Sequence, residues 1–276
     1  MAIITISREM GTGGRNIANR VAEKLGYLLI DGSAIRKVAA DYGLTPDAVD
    51  QADEKPPAFV EKLDEKTEVD LHLIELIILD YALKGNVLIY GRGGQDLLKD
   101  IQSVFRVRIT APFEERVERW AEKEWLDPDL ARIMVRKSDQ QRAGFVRYYF
   151  DRDWNDPLNY DLIINTQRMS EDSAVKLISQ GVHDSNLQEL KDESKKTLSD
   201  LILRKKAEIA VLNICKIESQ HLGLEVHDGV ITLTGHVHSE ADHKMVLETV
   251  GAIEGIKKVL HKQMRIIDYH NNPKDP

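Results

Sequence analysis

The sequence predicts an α/β chain followed by a smaller α+β domain, and three observations carry that prediction. Short β-branched apolar runs alternate with amphipathic stretches up to about residue 181; a glycine-rich turn joins the first run to a helix; and a hairpin pattern starts beyond residue 221. The runs 3–6, 28–30, 87–90, 104–109 and 162–164 are short and apolar enough for strands covered on both faces, as in a mostly parallel sheet flanked by helices. Between them Ile17, Ala18, Val21 and Leu25 line one side of a helix closed by Gly26, and Asp127 before Pro128 marks another helix start.

After Gly181 the sequence turns polar, and residues 184–196 read as a linker between a first domain, 1–183, and a second, 197–268. A helical pattern covers about 197–221. Residues 224–227, the pair Asp228-Gly229 and residues 230–234 then form a hairpin signal suited to a type I′ turn. Pairing His227 with Val230 sets Val226 opposite Ile231 and Leu224 opposite Leu233, which gathers one apolar face. A helix over 240–250 and a strand over 259–267 complete an α-β-β-α-β unit, and the tail 269–276, without apolar anchors, is expected to be disordered.

A chain of 276 residues has room for two cores, and 42% apolar with 30% charged residues excludes collagen-like, disulfide-scaffold and wholly disordered classes. Its 38 basic and 46 acidic residues give a charge of -8, which argues against a duplex nucleic-acid partner and leaves room for a local basic pocket. The single cysteine, Cys215, forms no internal disulfide and no multi-thiolate metal site, so the expected setting is cytoplasmic. The start MAIITISREM shows no basic leader, and the apolar run 73–79 is interrupted by Glu75 and stopped by Asp80, so neither a signal peptide nor a membrane span is expected.

The sharpest signal is ITISREMGTGGRNIANRVAEKLGY. Here Gly11, Thr12, Gly13, Gly14, Arg15 and Asn16 lead from a strand into a helix whose first-turn N–H groups and dipole favour an anion. Against the strict GxxxxGK[ST] phosphate loop, Arg8 stands at the first glycine, Gly14 at the lysine and Asn16 near the metal-binding hydroxyl. Arg15 is the candidate for the missing positive charge; the plainer alternative is a glycine turn that only permits tight packing. Farther on, helical spacing brings Arg132, Arg136, Asp139 and Arg147 within about a quarter-turn, with Arg142 beside them. Converging guanidinium groups suit phosphoryl transfer, which needs positioning and charge cancellation, while a solvated helix with ion pairs is the plainer reading.

The loop SREMGTGGRNIA resembles the opening of the cytidylate kinase-like family, relatives of the P-loop nucleoside monophosphate kinases. LLIDGSAIRKVA, LIYGRGGQDLL, VRITAPFEERVERW, KSDQQRAGFVRYYF and DWNDPLNYDLIINTQRMS follow in the family's order, so that the resemblance spans most of residues 1–180. It implies a P-loop kinase-like fold, ATP and Mg2+ as cofactors and a nucleotide substrate. It also implies that Arg36 and Arg92 grip the acceptor, that Asp139 and Arg142 form the lid's Asp-x-x-Arg pair, also facing the substrate, and that Asn165 and Thr166 lie beside the donor base. Asp31 is a further substrate-side candidate, or an Asx turn with Gly32. The catalytic set is then Arg15, Arg136, Asp139, Arg142 and Arg147. Where cytidylate kinases carry Gly-Arg-Asp this chain has Gly91-Arg92-Gly93, which leaves the acceptor base open; Gln95 or Asp96 reaches it, or each is an ordinary first-turn helix residue.

VHDGVITLTGHVHSEADHKMVLETVGAIEGIKKV resembles a BON domain, a class of ligand-, phospholipid- or protein-binding modules, and implies a protein or lipid partner and a regulatory or assembly role. Eight of the nine histidines lie from His183 onward, and His236 and His238 share a strand face with His243 nearby. Spacing supplies no carboxylate or cysteine to complete a shell, so exposed histidines rather than a metal centre are expected. The leading expectation is a kinase that phosphorylates a (deoxy)cytidylate-type acceptor. The rivals are a nucleotide-binding sensor signalling through the BON-like domain, and a chain whose main activity is that domain's binding.

Overall fold

The computed structural model describes residues 2–51, 65–217 and 221–267. Strands β1 (Ile3–Arg8), β2 (Leu28–Ile30), β3 (Val87–Tyr90), β4 (Val104–Thr110) and β5 (Leu162–Asn165) form one parallel sheet in the order β2-β3-β1-β4-β5. In chain order the α-helices up to residue 181 are α1 (Gly14–Leu25), α2 (Gly32–Val38), α3 (Pro46–Gln51), α4 (Glu65–Lys84), α5 (Gly94–Leu97), α6 (Phe113–Glu124), α7 (Pro128–Phe150) and α8 (Glu171–Gly181). β1 is central, with Ile3–Ile6 against β3 on one side and β4 on the other, so its carboxyl end opens where such sheets bind ligands. Ile4, Ile6, Leu88, Val107 and Ile109 bury one sheet face against Ile17, Ala18 and Val21 of α1 and Ala174, Val175 and Ile178 of α8. Each such aliphatic side chain contributes about 1.5–3 kcal/mol on burial, which fixes α1 against the sheet.

The segment expected to be a polar linker is helical. Asp184 caps α9 (Ser185–Glu189) through the Asn186 N–H, and α10 (Lys191–Ala210) follows directly. No periodic apolar stripe announces these turns; single anchors hold them, among them Leu187 against the core and the buried Ser194, whose hydroxyl accepts from the Ser103 N–H at 3.1 Å.

The chain divides into two compact units, and residues 63–80 group with those from 195 onward rather than with the first domain, where the sequence reading placed them. The physical reason is Lys205, a buried ammonium 2.7 Å from Glu75 Oε2, 2.5 Å from Glu208 Oε2 and 2.8 Å from His72 Nδ1. Burial pushes the Glu75 carboxyl up, and the Lys205 charge with the His72 contact more than reverses this, holding it at about 2. The carboxylate that interrupts the apolar run is therefore one half of a buried ion pair.

In the second unit β6 (Leu222–His227), β7 (Val230–Val237) and β8 (Lys258–Ile266) form a sheet in that order, β6/β7 antiparallel and β7/β8 parallel across α11 (Glu240–Gly251). The hairpin register is the expected one, His227 opposite Val230 and Leu224 opposite Leu233. Asp228 and Gly229 both have positive φ, 50° and 76°, and Asp200 of α10 accepts from both of their N–H groups at 2.7 and 2.9 Å. A π-helical turn, Val211–Cys215, follows α10, and residues 218–220 and the tail 269–276 lie outside the described residues. Among the described residues no helix is long and apolar enough to cross a membrane.

Candidate active site

The glycine turn between β1 and α1 is shaped by two left-handed residues, Gly11 (φ 83°) and Gly13 (φ 77°). A Cβ on Gly11 would overlap the Arg116 carbonyl oxygen, so that position takes only glycine, and one on Gly14 would press on Arg8 Cβ at 3.0 Å. No side chain caps α1, which leaves its first N–H groups to face outward. A buried charge cluster braces the turn from below. The Glu9 carboxylate accepts from Thr110 Oγ1 at 2.5 Å and the Ala111 N–H at 3.2 Å, beside Arg108 Nη2 (3.3 Å) and Arg116 Nε (3.4 Å). Thr12 Oγ1 donates to the Glu9 carbonyl at 2.8 Å, and Thr166 Oγ1 donates to the Thr12 carbonyl at 3.0 Å.

Above the turn lies a cavity of about 1020 Å³, lined by residues 8–16, Tyr90, Arg119, Trp120, Lys123, Arg142 and residues 166–171. Arg8, Arg15, Arg119, Lys123, Arg142 and Arg168 all reach it, a concentration of positive charge on a chain of charge -8. The Arg8 guanidinium sits 4.1 Å from the Tyr90 ring centre and that of Arg15 5.5 Å from the same ring. Arg15, half exposed, also pairs with buried Asp31. Asn16 Nδ2 donates to Glu171 on the cavity rim.

Of the residues singled out in the sequence, Gly11, Thr12, Gly13, Gly14, Arg15, Asn16, Arg142 and Thr166 come together around this cavity. Asp139 sits behind it, accepting from the Met10 N–H at 3.1 Å and from Arg116 Nη1 at 2.6 Å; burial pushes its carboxyl up, opposed by the Met10 N–H and the Arg116 charge. Asp31 caps α2 through the Ala34 N–H at 2.8 Å, as an Asx cap would. Arg36 is exposed on α2, and Arg92 (φ 60°) donates to the Val49 carbonyl at 3.3 Å while its guanidinium fills the space a Gly32 Cβ would take. Asn165 is exposed and accepts from the Gln167 N–H, outside the cavity lining. Arg136 stands 5.4 Å from the Phe113 ring and exposed Arg147 pairs with Asp151 at 3.4 Å, so neither is brought to the cavity. The basic stripe of α7 is real, but from Arg132 to Arg147 it runs about 22 Å along the axis, too long to converge on one phosphate. Only its middle, Asp139 and Arg142, meets the turn.

Residues 3–168 match the sequence profile of the cytidylate kinase-like family. The chain belongs to the cytidylate kinase-like family. It is 30% identical over 182 residues to the cytidylate kinase of Natronomonas pharaonis, covering 66% of this chain and 89% of that one. With the cytidylate kinase of Ignicoccus hospitalis the figures are 27% over 179 residues, 64% and 97%. A solved structure of an uncharacterized protein from Eubacterium ventriosum superposes with a TM-score of 0.53 at 26% identity, over 66% of this chain and 97% of that one. Residues 202–268 match the BON domain, so a BON domain follows the kinase-like domain.

Several residues of this kinase-like site belong to no sequence motif. Glu9, Arg108 and Arg116 form the brace beneath the turn, and Arg108 donates to the Trp154 carbonyl at 2.5 Å and Asn155 Oδ1 at 2.9 Å while lying 4.1 Å from the Trp154 ring. The available signal was the pair of arginines at 106 and 108, charged residues inside an otherwise apolar strand. Gln95 and Asp96 differ in their surroundings. Gln95 lines a small cavity with Ser7, Arg8, Gly93 and Arg142, whereas Asp96 accepts from Gln95 Nε2 at 2.6 Å and turns toward Arg152 at 3.3 Å. Burial pushes the Asp96 carboxyl up to about 6 despite the Arg152 charge.

Proposed function

We propose that this chain transfers the γ-phosphoryl group of ATP to a nucleoside monophosphate, with CMP or dCMP as acceptor. The observation that carries the reading is the cavity in which an uncapped glycine turn meets Arg8, Arg15, Arg119 and Arg142. An acceptor phosphate oxygen attacks the γ-phosphorus, the bond from that phosphorus to the bridging oxygen breaks, and ADP leaves with the electron pair. No protein nucleophile is required. Residues 11–15 present backbone N–H groups to the donor phosphates, and Arg8 and Arg15, stacked beside Tyr90, supply the charge that Gly14 removes from the lysine position. Arg142 and Arg119 offset the charge that spreads over the equatorial oxygens. Thr166 and Trp120 flank the donor nucleoside, the family resemblance gives Arg36 and Arg92 the role of holding the acceptor, and Gln95, which lines the small cavity beside Arg8 and Arg142, faces its base.

Magnesium fits a carboxylate at the rim of the turn: Glu171, which accepts from Asn16 Nδ2, would hold it together with the phosphates. When bound, the ion neutralises phosphate charge. Gly14 in place of lysine favours a second reading, a sensor that binds nucleotide without turning it over. A coupled ADP-release assay with ATP and magnesium against CMP, dCMP, UMP, AMP and GMP separates the two. Turnover with a cytidylate, lost in Arg92→Ala, is the expected result; measurable ATP binding with no turnover on any acceptor would favour the sensor.

A further inference from the structure

Three histidines converge at one end of the β6/β7 hairpin. Leu222 pairs with Gly235, so His221, one residue before β6, stands beside His236, and His238 returns to the same side two residues on. Gly235 has φ 98°, and a Cβ there would overlap the His221 carbonyl oxygen, so the glycine is what lets this end of the hairpin close. The ring centres of His221 and His236 are 4.9 Å apart, those of His221 and His238 5.5 Å, and those of His236 and His238 5.7 Å. One ring nitrogen from each lies within 4.8 Å of the others. His221 and His236 are half-buried and His238 is exposed. His243, the neighbour that spacing suggested, instead packs on His261 with ring centres 5.2 Å apart.

We propose that His221, His236 and His238 bind a zinc ion, with the fourth position open to water. Four-coordinate zinc with nitrogen ligands at about 2.0–2.1 Å has ligand-to-ligand edges of about 3.4 Å, which modest ring rotations reach from the observed spacing. Imidazole nitrogens select a transition ion over magnesium or calcium, which prefer oxygen. Three histidines with one open position form an exchangeable site rather than a closed structural one. Because the ligands come from both strands, zinc ties the start of β6 to the end of β7 and stabilises the hairpin. The inference does not depend on the kinase reading.

The test uses the full-length protein, stripped with a chelator and titrated with zinc chloride alone in competition with a chromophoric indicator. A cobalt-loaded sample reports four-coordinate geometry by its visible absorption. One equivalent is expected to bind, to raise the thermal midpoint, and to be weakened at least about 100-fold by His238→Ala or His236→Ala while His243→Ala leaves it unchanged. His238 is exposed, so its variant should retain the melting temperature of the metal-free protein and keep the test decisive if His236→Ala folds poorly. Absence of saturable zinc uptake, or an affinity unchanged by His238→Ala, would overturn the proposal.

Discussion

Two glycine-rich turns leave neighbouring strands of one sheet and start helices in the same way, yet their surroundings differ. Gly13 before α1 and Gly93 before α5 are both left-handed N-cap residues, and neither helix has a side-chain cap. Above the first lies the cationic cavity; against the second, a Cβ on Gly93 would meet Phe150 Cε2 at 2.5 Å and Phe145 Cε1 at 3.0 Å. Aromatic rings thus occupy the room that the second turn's glycine leaves, and α5 has only four residues against the twelve of α1. The first turn offers backbone N–H groups, whereas the second offers a side chain, Arg92.

Substitutions at the two turns separate these roles. Gly11→Ala combines an unfavourable φ with overlap on the Arg116 carbonyl and is expected to weaken ATP binding at least about 100-fold, measured by titration calorimetry. Gly93→Ala is expected to cost about 1–3 kcal/mol of folding stability through overpacking, read by chemical denaturation, and to leave ATP affinity near that of the parent. An equal loss of ATP affinity in both variants would erase the distinction.

The brace under the first turn predicts a smaller, pH-dependent effect. Burial pushes the Asp139 carboxyl up, so it takes up its proton at a higher pH than an ordinary carboxylate and releases the Met10 N–H and Arg116 as it does. Activity should therefore fall as pH drops through that raised value, in a pH profile of kcat/KM. Asp139→Asn should lower activity about tenfold and remove this acid limb. The stability sign is opposite: the folded form takes up the proton more readily than the unfolded one, so protonation of this group stabilises the fold. A profile identical in parent and variant would show that Asp139 does not set the acid limb.

Periodicity made much of the fold legible. The edges of β2 and β3 and the register across Asp228-Gly229 were readable because short apolar runs and a two-residue turn leave little freedom. The grouping of residues 63–80 with the carboxy-terminal unit was not, because Glu75 and Lys205 meet only through tertiary packing and each reads locally as a surface charge. At the site, Gly11 to Asn16 and Thr166 announced themselves by motif. The helical wheel of α7 gave direction around the axis but not position along it, so Arg136 and Arg147 were grouped with Arg142, which alone of the three lines the cavity. Arg8, Arg119 and Tyr90 contribute from separate elements, and no local spacing brings them together.

We propose that Arg8 and Arg15, stacked beside Tyr90, replace the phosphate-loop lysine. The most direct test is the affinity for magnesium–ATP of the Arg8→Ala/Arg15→Ala double variant against the parent, with folding checked by thermal melting. Each charged hydrogen bond to phosphate contributes about 1.5–3 kcal/mol, so a loss of about 100-fold or more is expected. An affinity equal to the parent's in a folded variant would contradict it.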